Sequence, residues 1–396
     1  MSDIPRDYSG STRQWLQQLV AFDSVSSNSN LTLISHIEEA LERLEDTPGQ
    51  PVQYWRIASA DGNKSNLLVQ IGPDTAEGVV LSGHTDVVPV TGQSWSSDPF
   101  DLTERDGRLY GRGSCDMKGF IASCLAHIPE WRALPLKRPI FLAFSYDEEV
   151  GCIGAPAMIE ELASHPARPT VAIIGEPTMM TPVTRQKGIT TLTTTVTGVE
   201  AHSSQIPDGL SAIHIAARLI DRIDHIMQEL SEGDALNPAY NVPYSTLHVG
   251  KVHGGTAVNI MARECHFDWE IRDLPEQGFE TVFTPFQQYS RALEAELKEH
   301  FPQAAITTEL VVPSVPGLDS PDSAALAFLM PLLENSEPRA VAYATEAGQF
   351  QRAGFSAVIC GPGDIAHAHK PDEFVSLEQL DKADTLMTRI GQALCE

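Results

Sequence analysis

The chain has 396 residues, 42% of them hydrophobic and 20% charged, with 53 Asp+Glu against 27 Lys+Arg and a formal net charge of -26. That length exceeds what one compact core usually holds and predicts two domains. So acidic a chain is a poor partner for nucleic acid or an anionic membrane surface.

The opening MSDIPRDYSG has no apolar leader, and no stretch approaches the ~20 apolar residues of a membrane helix. Six cysteines (Cys115, Cys124, Cys152, Cys265, Cys360, Cys395) lack paired spacing and any Cys-x-x-Cys. The expectation is a cytoplasmic protein with reduced thiols and no thiolate metal site.

In chain order, NLLVQIG and GVVLSGHTDVV read as strands, MKGFIASCLAHIPEWR as a helix, and RPIFLAFSYDEE and PTVAIIGE as further short, nearly all-apolar strands. Strands buried on both faces and separated by helices predict a mostly parallel sheet. The pattern changes after Pro182. GITTLTTTVTGVE alternates, as a half-exposed strand does. A helix over 211–230 follows, then strands YSTLHVGKVHGG and ECHFDWEIRDL, a helix over 280–300, and strand AAITTELVVP. That order, β-α-β-β-α-β, predicts a ferredoxin-like α+β unit. After Pro316 the α/β pattern returns, with a helix over 324–333, strands RAVAYATE and SAVICGPG, and a last helix from Ser376. The expected organisation is an α/β domain of 1–183 and 314–396, interrupted by an inserted domain of 184–313.

Chemistry-bearing residues gather at the ends of the predicted strands. GHTDVVP offers His84 and Asp86, two apart and therefore on one side of a strand. GRGSCDMKGF places Asp116 before a helix, where an N-cap is the ordinary use of Asp. SYDEEVG brings Asp147, Glu148 and Glu149 together, which a solvated turn also accommodates, and GEPT supplies Glu176. GPGDIAHAHKPDE adds His367 and His369. Each alone has a plain structural reading: a satisfied buried histidine, a cap, a turn. Five such segments delivering His, Asp, Glu, Glu and His without cysteine suit two divalent cations of the zinc type. Ions ~3.5–4 Å apart need one bridging carboxylate.

LSGHTDVVP, LYGRGSCDMKG, DEEVG, IIGEPT and AHKPDE, in this order, resemble the dinuclear zinc deacylase/carboxypeptidase family over nearly the whole chain. SSDPFDLTERDGRLYGRGSCDMKGF, VPYSTLHVGKVHGG and YATEA are similar to its acetylornithine deacetylase branch. The resemblance implies a zinc-peptidase-like catalytic domain, and an insert that serves as dimerisation and lid domain of a homodimer. It implies two divalent metal ions, Zn2+ or Co2+, and hydrolysis of an N-acyl amino acid such as N2-acetyl-L-ornithine. It makes Asp116 the bridge, His84 and Glu176 the ligands of one ion, and Glu149 and His369 those of the other. Asp86 orients His84, and Glu148 is the general base. In the insert, His202 is expected to reach into the partner subunit's site. Asn259 and Arg272 are expected to bind substrate, with Arg272 on its carboxylate. Glu346, closing the predicted strand RAVAYATE with Thr345 before it, is expected either at the substrate ammonium or as a structural carboxylate, and Thr345 is expected near the substrate. His367 aligns with no family ligand. Cys115, beside the bridge, departs from the small sulfur-free residue frequent there.

Overall fold

The computed structural model describes residues 10–45, 47–334 and 337–396. The chain forms two compact units. One comprises the residues up to Arg185, Ser320–Arg339 and Thr345–Glu396; the other comprises Gln186–Asp319 and Ala340–Ala344. The expected boundaries lay at 183/184 and 313/314. The later departure has a structural reason: strand Val183–Gln186 still pairs with Ser356–Gly361 in the main sheet, through Val183 and Ile359. The return is marked by a hydrogen bond from the Ser320 amide to the Thr184 carbonyl, 2.9 Å.

In the first unit, strands Ile140–Ser145, Val79–His84, Val171–Pro177 and Ser356–Gly361 lie side by side in that order, all parallel. Nearly every residue in them is buried, as strands covered by helices on both faces require. The sheet is antiparallel at its flanks. Ser65–Ile71 pairs antiparallel with Ile140–Ser145, and Val52–Ala58 with Ser65–Ile71. Helices Thr12–Val20, Lys118–Ala133 and Leu377–Ala393 contribute Trp15, Leu16, Phe120, Ile121, Trp131, Leu386 and Met387 to the core on this sheet. Gly175, inside a strand, is fixed by packing: a Cβ there would fall 2.1 Å from the Phe120 ring. The absence of a side chain lets helix Lys118–Ala133 press directly on the residue before Glu176.

The second unit is β-α-β-β-α-β, with strands Thr190–Thr197, Thr246–Gly254, Glu264–Arg272 and Ala305–Leu310 and helices Ala212–Glu232 and Gly278–Lys298. Its sheet is antiparallel, in the order Thr246–Gly254, Glu264–Arg272, Thr190–Thr197, Ala305–Leu310, as in a ferredoxin-like fold. Strand Thr190–Thr197 alternates buried and half-buried positions, and Leu192 and Val196 join Leu219, Phe267, Trp269 and Phe286 in the core. The predicted strand RAVAYATE is shortened to Arg339–Val341, and a helix Ala347–Arg352 begins immediately after Glu346.

Candidate metal centre

The four parallel strands all run out at one edge of the sheet, the usual ligand-binding edge of an open α/β sheet. His84 ends Val79–His84, Glu148 and Glu149 follow Ile140–Ser145, Glu176 lies at the end of Val171–Pro177, and His369 follows Ser356–Gly361 and the short turn Ile365–His367. Asp116 enters from the side, one residue before the N-cap of helix Lys118–Ala133.

These side chains converge. Asp116 Oδ1 is 3.0 Å from His84 Nε2, which is itself 3.8 Å from Glu176 Oε1. Asp116 Oδ2 is 3.3 Å from His369 Nε2, which is 3.0 Å from Glu149 Oε2. The two oxygens of one carboxylate therefore face two separate His/Glu pairs. Potential ligand atoms of His84, Asp116 and Glu149, and likewise of His84, Glu148 and Glu176, lie within 4.8 Å of one another.

Asp86 acts in a way that motif spacing does not reveal. His84 Nδ1 lies 2.9 Å from the backbone carbonyl of Asp86 and 3.6 Å from its carboxylate. The carboxylate instead accepts from the Ser26 hydroxyl (2.6 Å) and from the amides of Glu148 (3.1 Å) and Glu149 (3.3 Å). One residue thus orients the imidazole with its main chain and anchors the acidic turn with its side chain. Glu373 and Arg112 went unassigned in the sequence, although both lie inside the quoted motifs. Glu373 Oε1 accepts from the amides of Cys115 (3.0 Å) and Asp116 (3.1 Å), and its Oε2 from Arg112 Nη1 (2.6 Å). The pairing itself follows from burial, since Arg and Glu are almost never fully buried unless paired, but burial is not legible in the sequence.

The site is acid-rich. Burial raises Glu148 and Glu176 well above the usual carboxylate range, and the charge on Asp116 pushes both further. Burial and Asp116 raise Glu149 as well. Burial opposes charge on Asp116, yet hydrogen bonds from His369 and His84 hold it below its usual range. Hydrogen bonds to Asp116 and Glu149 push His369 up to about 10. Burial opposes charge on His84 too, but its hydrogen bond to Asp116 and the charges of Glu148 and Glu176 raise it well above its usual value. Buried Glu149 Oε1 has no hydrogen-bond partner. Two imidazoles, an excess of carboxylates and one orphaned carboxylate oxygen fit a pair of divalent cations.

Of the other expected residues, His202, Asn259 and Arg272 belong to the second unit and Thr345 and Glu346 to the first. In the second unit, His202 is exposed, its Nδ1 2.8 Å from Ser204 Oγ, and it bridges antiparallel to Ile260. Asn259 is beside it, its carbonyl accepting from the Ser203 amide at 3.0 Å. Arg272 is half-buried and engaged by Glu270, with Nε to Oε1 2.8 Å and Nη2 to Oε2 3.4 Å. Glu346 and Thr345 lie in the first unit, and their contacts favour the structural reading of Glu346. Glu346 is 1% exposed, and both its oxygens accept hydroxyl hydrogen bonds, from Ser82 (3.1 Å) and Ser145. Thr345 is buried, and its Oγ1 accepts from the Ala347 amide at 3.1 Å. The chain turns into helix Ala347–Arg352 at this point, which draws both residues beneath the sheet edge. His367 stacks on Phe374 at 4.2 Å between ring centroids, outside the ligand cluster.

Residues 80–393 match peptidase family M20/M25/M40. The chain is 33% identical over 385 residues to an acetylornithine deacetylase of Edwardsiella ictaluri, covering 96% of each. It is 33% identical over 387 residues to an acetylornithine deacetylase of Myxococcus xanthus, covering 97% of each. In fold it is similar to an aminopeptidase from Bacillus cereus, with TM-score 0.73 and 18% identity over 99% of this chain and 100% of that one. It is similar also to a tripeptidase from Staphylococcus aureus, with TM-score 0.72 and 21% identity over 98% of each. The chain belongs to peptidase family M20/M25/M40, as a metallohydrolase acting on amides.

Proposed function

We propose that this chain is an acetylornithine deacetylase, hydrolysing N2-acetyl-L-ornithine to L-ornithine and acetate. The observation that carries the two-ion part is the division of Asp116: Oδ1 toward His84 and Glu176, Oδ2 toward His369 and Glu149. Those five residues would hold two divalent cations, Zn2+ or Co2+. The ions, when bound, would polarise the acyl carbonyl and lower the pKa of water to about 7. The amino-acid part is supported by two relatives of that name at 33% identity across nearly the full length.

Glu148 is the proton carrier. Its raised pKa brings it toward the operating pH, where a general base is most effective. It takes a proton from the attacking water and gives it to the leaving nitrogen. Asp86 holds the Glu148 and Glu149 amides, and so fixes the base relative to the ligands. Arg272 grips the substrate carboxylate with its planar fork, after giving up part of its pairing with Glu270. Asn259 lines the same substrate, and His202 serves the site of a second copy in a homodimer formed through the inserted unit. The protein acts in the cytoplasm.

The test is a kcat/KM panel with metal content measured in parallel. N-acetylornithine should exceed N-succinyl-diaminopimelate, N-acetylmethionine and dipeptides by tenfold or more. Preference for the succinyl substrate would make the chain a desuccinylase; a flat profile would make it a general N-acyl-amino-acid deacylase. Either outcome would refute the ornithine assignment while leaving the metal centre intact.

A further inference from the structure

One buried ion pair links the main chain of Asp116 to that of His369. Arg112 is 1% exposed and donates through Nη1 to Glu373 Oε2 at 2.6 Å. At the Glu373 end, Oε1 fixes the amides of Cys115 and Asp116. At the Arg112 end, Nη2 donates to Gln93 Oε1 at 2.6 Å, and Gln93 Nε2 donates to the His369 carbonyl at 2.9 Å. Trp95 closes the group: its Nε1 donates to Gln93 Oε1 at 3.1 Å, and its ring lies 5.0 Å from the Arg112 guanidinium. A continuous path therefore runs from the main chain of the bridging ligand to the main chain of the distant histidine.

The two halves of the centre differ in how much they need this path. His84 is the last residue of a central strand, 1% exposed, with Nδ1 at a backbone carbonyl. His369 follows a short turn, its side chain is 53% exposed, and its φ is +62°, in the left-handed region that non-glycine residues rarely adopt. A side chain so exposed, on a backbone so disfavoured, is not oriented by its own packing. Its ring meets Glu149 and Asp116 through Nε2, and its backbone is fixed by the hydrogen bond that its carbonyl accepts from Gln93, whose amide Arg112 holds.

We propose that Gln93, held in place by Arg112, is a positioning residue for the second ion, setting the affinity of the Glu149–His369 half while leaving the His84–Glu176 half nearly untouched. The inference rests on the two-ion reading above. Its distinctive content is selectivity: a device that only stabilised the fold would affect both ions alike.

The experiment is calorimetric titration of the metal-free full chain with Co2+, with the visible Co2+ spectrum recorded at each addition. Wild type should bind two ions. Gln93→Ala removes the bond to His369 at a half-buried position, with Glu373 and its amide partners in place. The first ion should bind within about twofold of wild type, and the second should weaken roughly 10–100-fold, the usual cost of losing a ligand's supporting hydrogen bond. Arg112→Lys, which lacks the planar fork, frees Gln93 and also loosens Glu373 under Asp116, and should weaken the second ion more than the first. If Arg112→Lys fails to fold, Gln93→Ala alone decides. Equal weakening of both ions, or of neither, in Gln93→Ala overturns the proposal. A wild type that binds fewer than two ions overturns the two-ion reading itself, and is recognised before any variant is measured.

Discussion

Glu148→Gln separates proton transfer from metal binding. Glutamine keeps the size and shape of the side chain and cannot accept a proton. The local structure should survive, because the turn is held through the Glu148 amide on Asp86 Oδ1 rather than through the side chain. The side-chain contact that is lost or kept is modest: Cys152 Sγ at 3.5 Å from Oε1, a weak donor that an amide oxygen also accepts. Removing a general acid–base group costs ~10²–10⁴-fold in kcat. At about 1.4 kcal/mol per tenfold, that is about 3–5 kcal/mol of barrier. The stability change should have the opposite sense. Burial disfavours the Glu148 charge, and the charges of Glu149 and Asp116 oppose it further. The metal-free variant should therefore melt at or above the wild-type temperature at pH 7.5. The assay is steady-state release of ornithine, with metal content and thermal melting on the same samples. Glu148 lies close enough to His84 and Glu176 to be a ligand itself, so metal content is decisive. Near-normal kcat would refute the base assignment; loss of an ion would make Glu148 a ligand. The contrasting variant is Asp116→Ala, which should lose both ions at once.

Glu346→Gln should lower kcat/KM for N-acetylornithine and neutral-tailed N-acetylmethionine by the same factor, because Ser82 and Ser145 occupy both carboxylate oxygens; a selective loss of tenfold or more for ornithine would restore it as a side-chain reader. Arg272→Lys should raise KM sharply with little change in kcat, since an ammonium replaces a two-pronged donor by a point charge; an unchanged KM would refute its role in binding the carboxylate. In the metal-free protein, Glu373 sits at about 7 against its ordinary 4.5, pushed up by burial and by Asp116. The folded state then holds a proton between pH 4.5 and 7 that the unfolded state has released, so stability should fall as pH rises through that window, by about 3 kcal/mol at most from this group. Glu148, Glu149 and Glu176 shift in the same direction. Melting of chelator-treated protein at pH 5, 6 and 7 checks the sign, and a flat or rising profile would refute it.

The candidate ligands could be read from sequence because a metal demands particular residue types, and because parallel strands put their ends at one edge. His84, Glu149, Glu176 and His369 each follow an apolar run that could only be a buried strand. The supporting residues were harder to read for a physical reason. Glu373 and the Asp86 carboxylate act on backbone amides, which every residue possesses, so no pattern of side chains announces the partner. The burial of Glu346 was not legible, because ATEA reads as the end of a strand running to the surface. The strand stops at Val341, and the helix that starts at Ala347 turns the carboxylate inward. The early helices Thr12–Val20 and Leu31–Glu45, and strand Val52–Ala58, were passed over because they precede the first motif. The ferredoxin-like order was legible from alternating Thr-rich and aromatic strands around two long amphipathic helices.

The hydrogen bond from Ser320 to the Thr184 carbonyl has a bearing on how this chain tolerates length. The insert leaves the first unit and rejoins it at points one peptide bond's reach apart, between the ligands Glu176 and His369. A closed excursion of this kind makes a small demand on the site. Loop-closure entropy grows only logarithmically, each doubling of the excursion costing about 0.6 kcal/mol. The affinity for ions is therefore almost blind to how many residues lie between Thr184 and Ser320, and sensitive only to whether those two ends meet. Apart from the brief return of Ala340–Ala344, loops of the insert can lengthen or shrink without disturbing the geometry around Asp116, provided the segments carrying His202, Asn259 and Arg272 are kept.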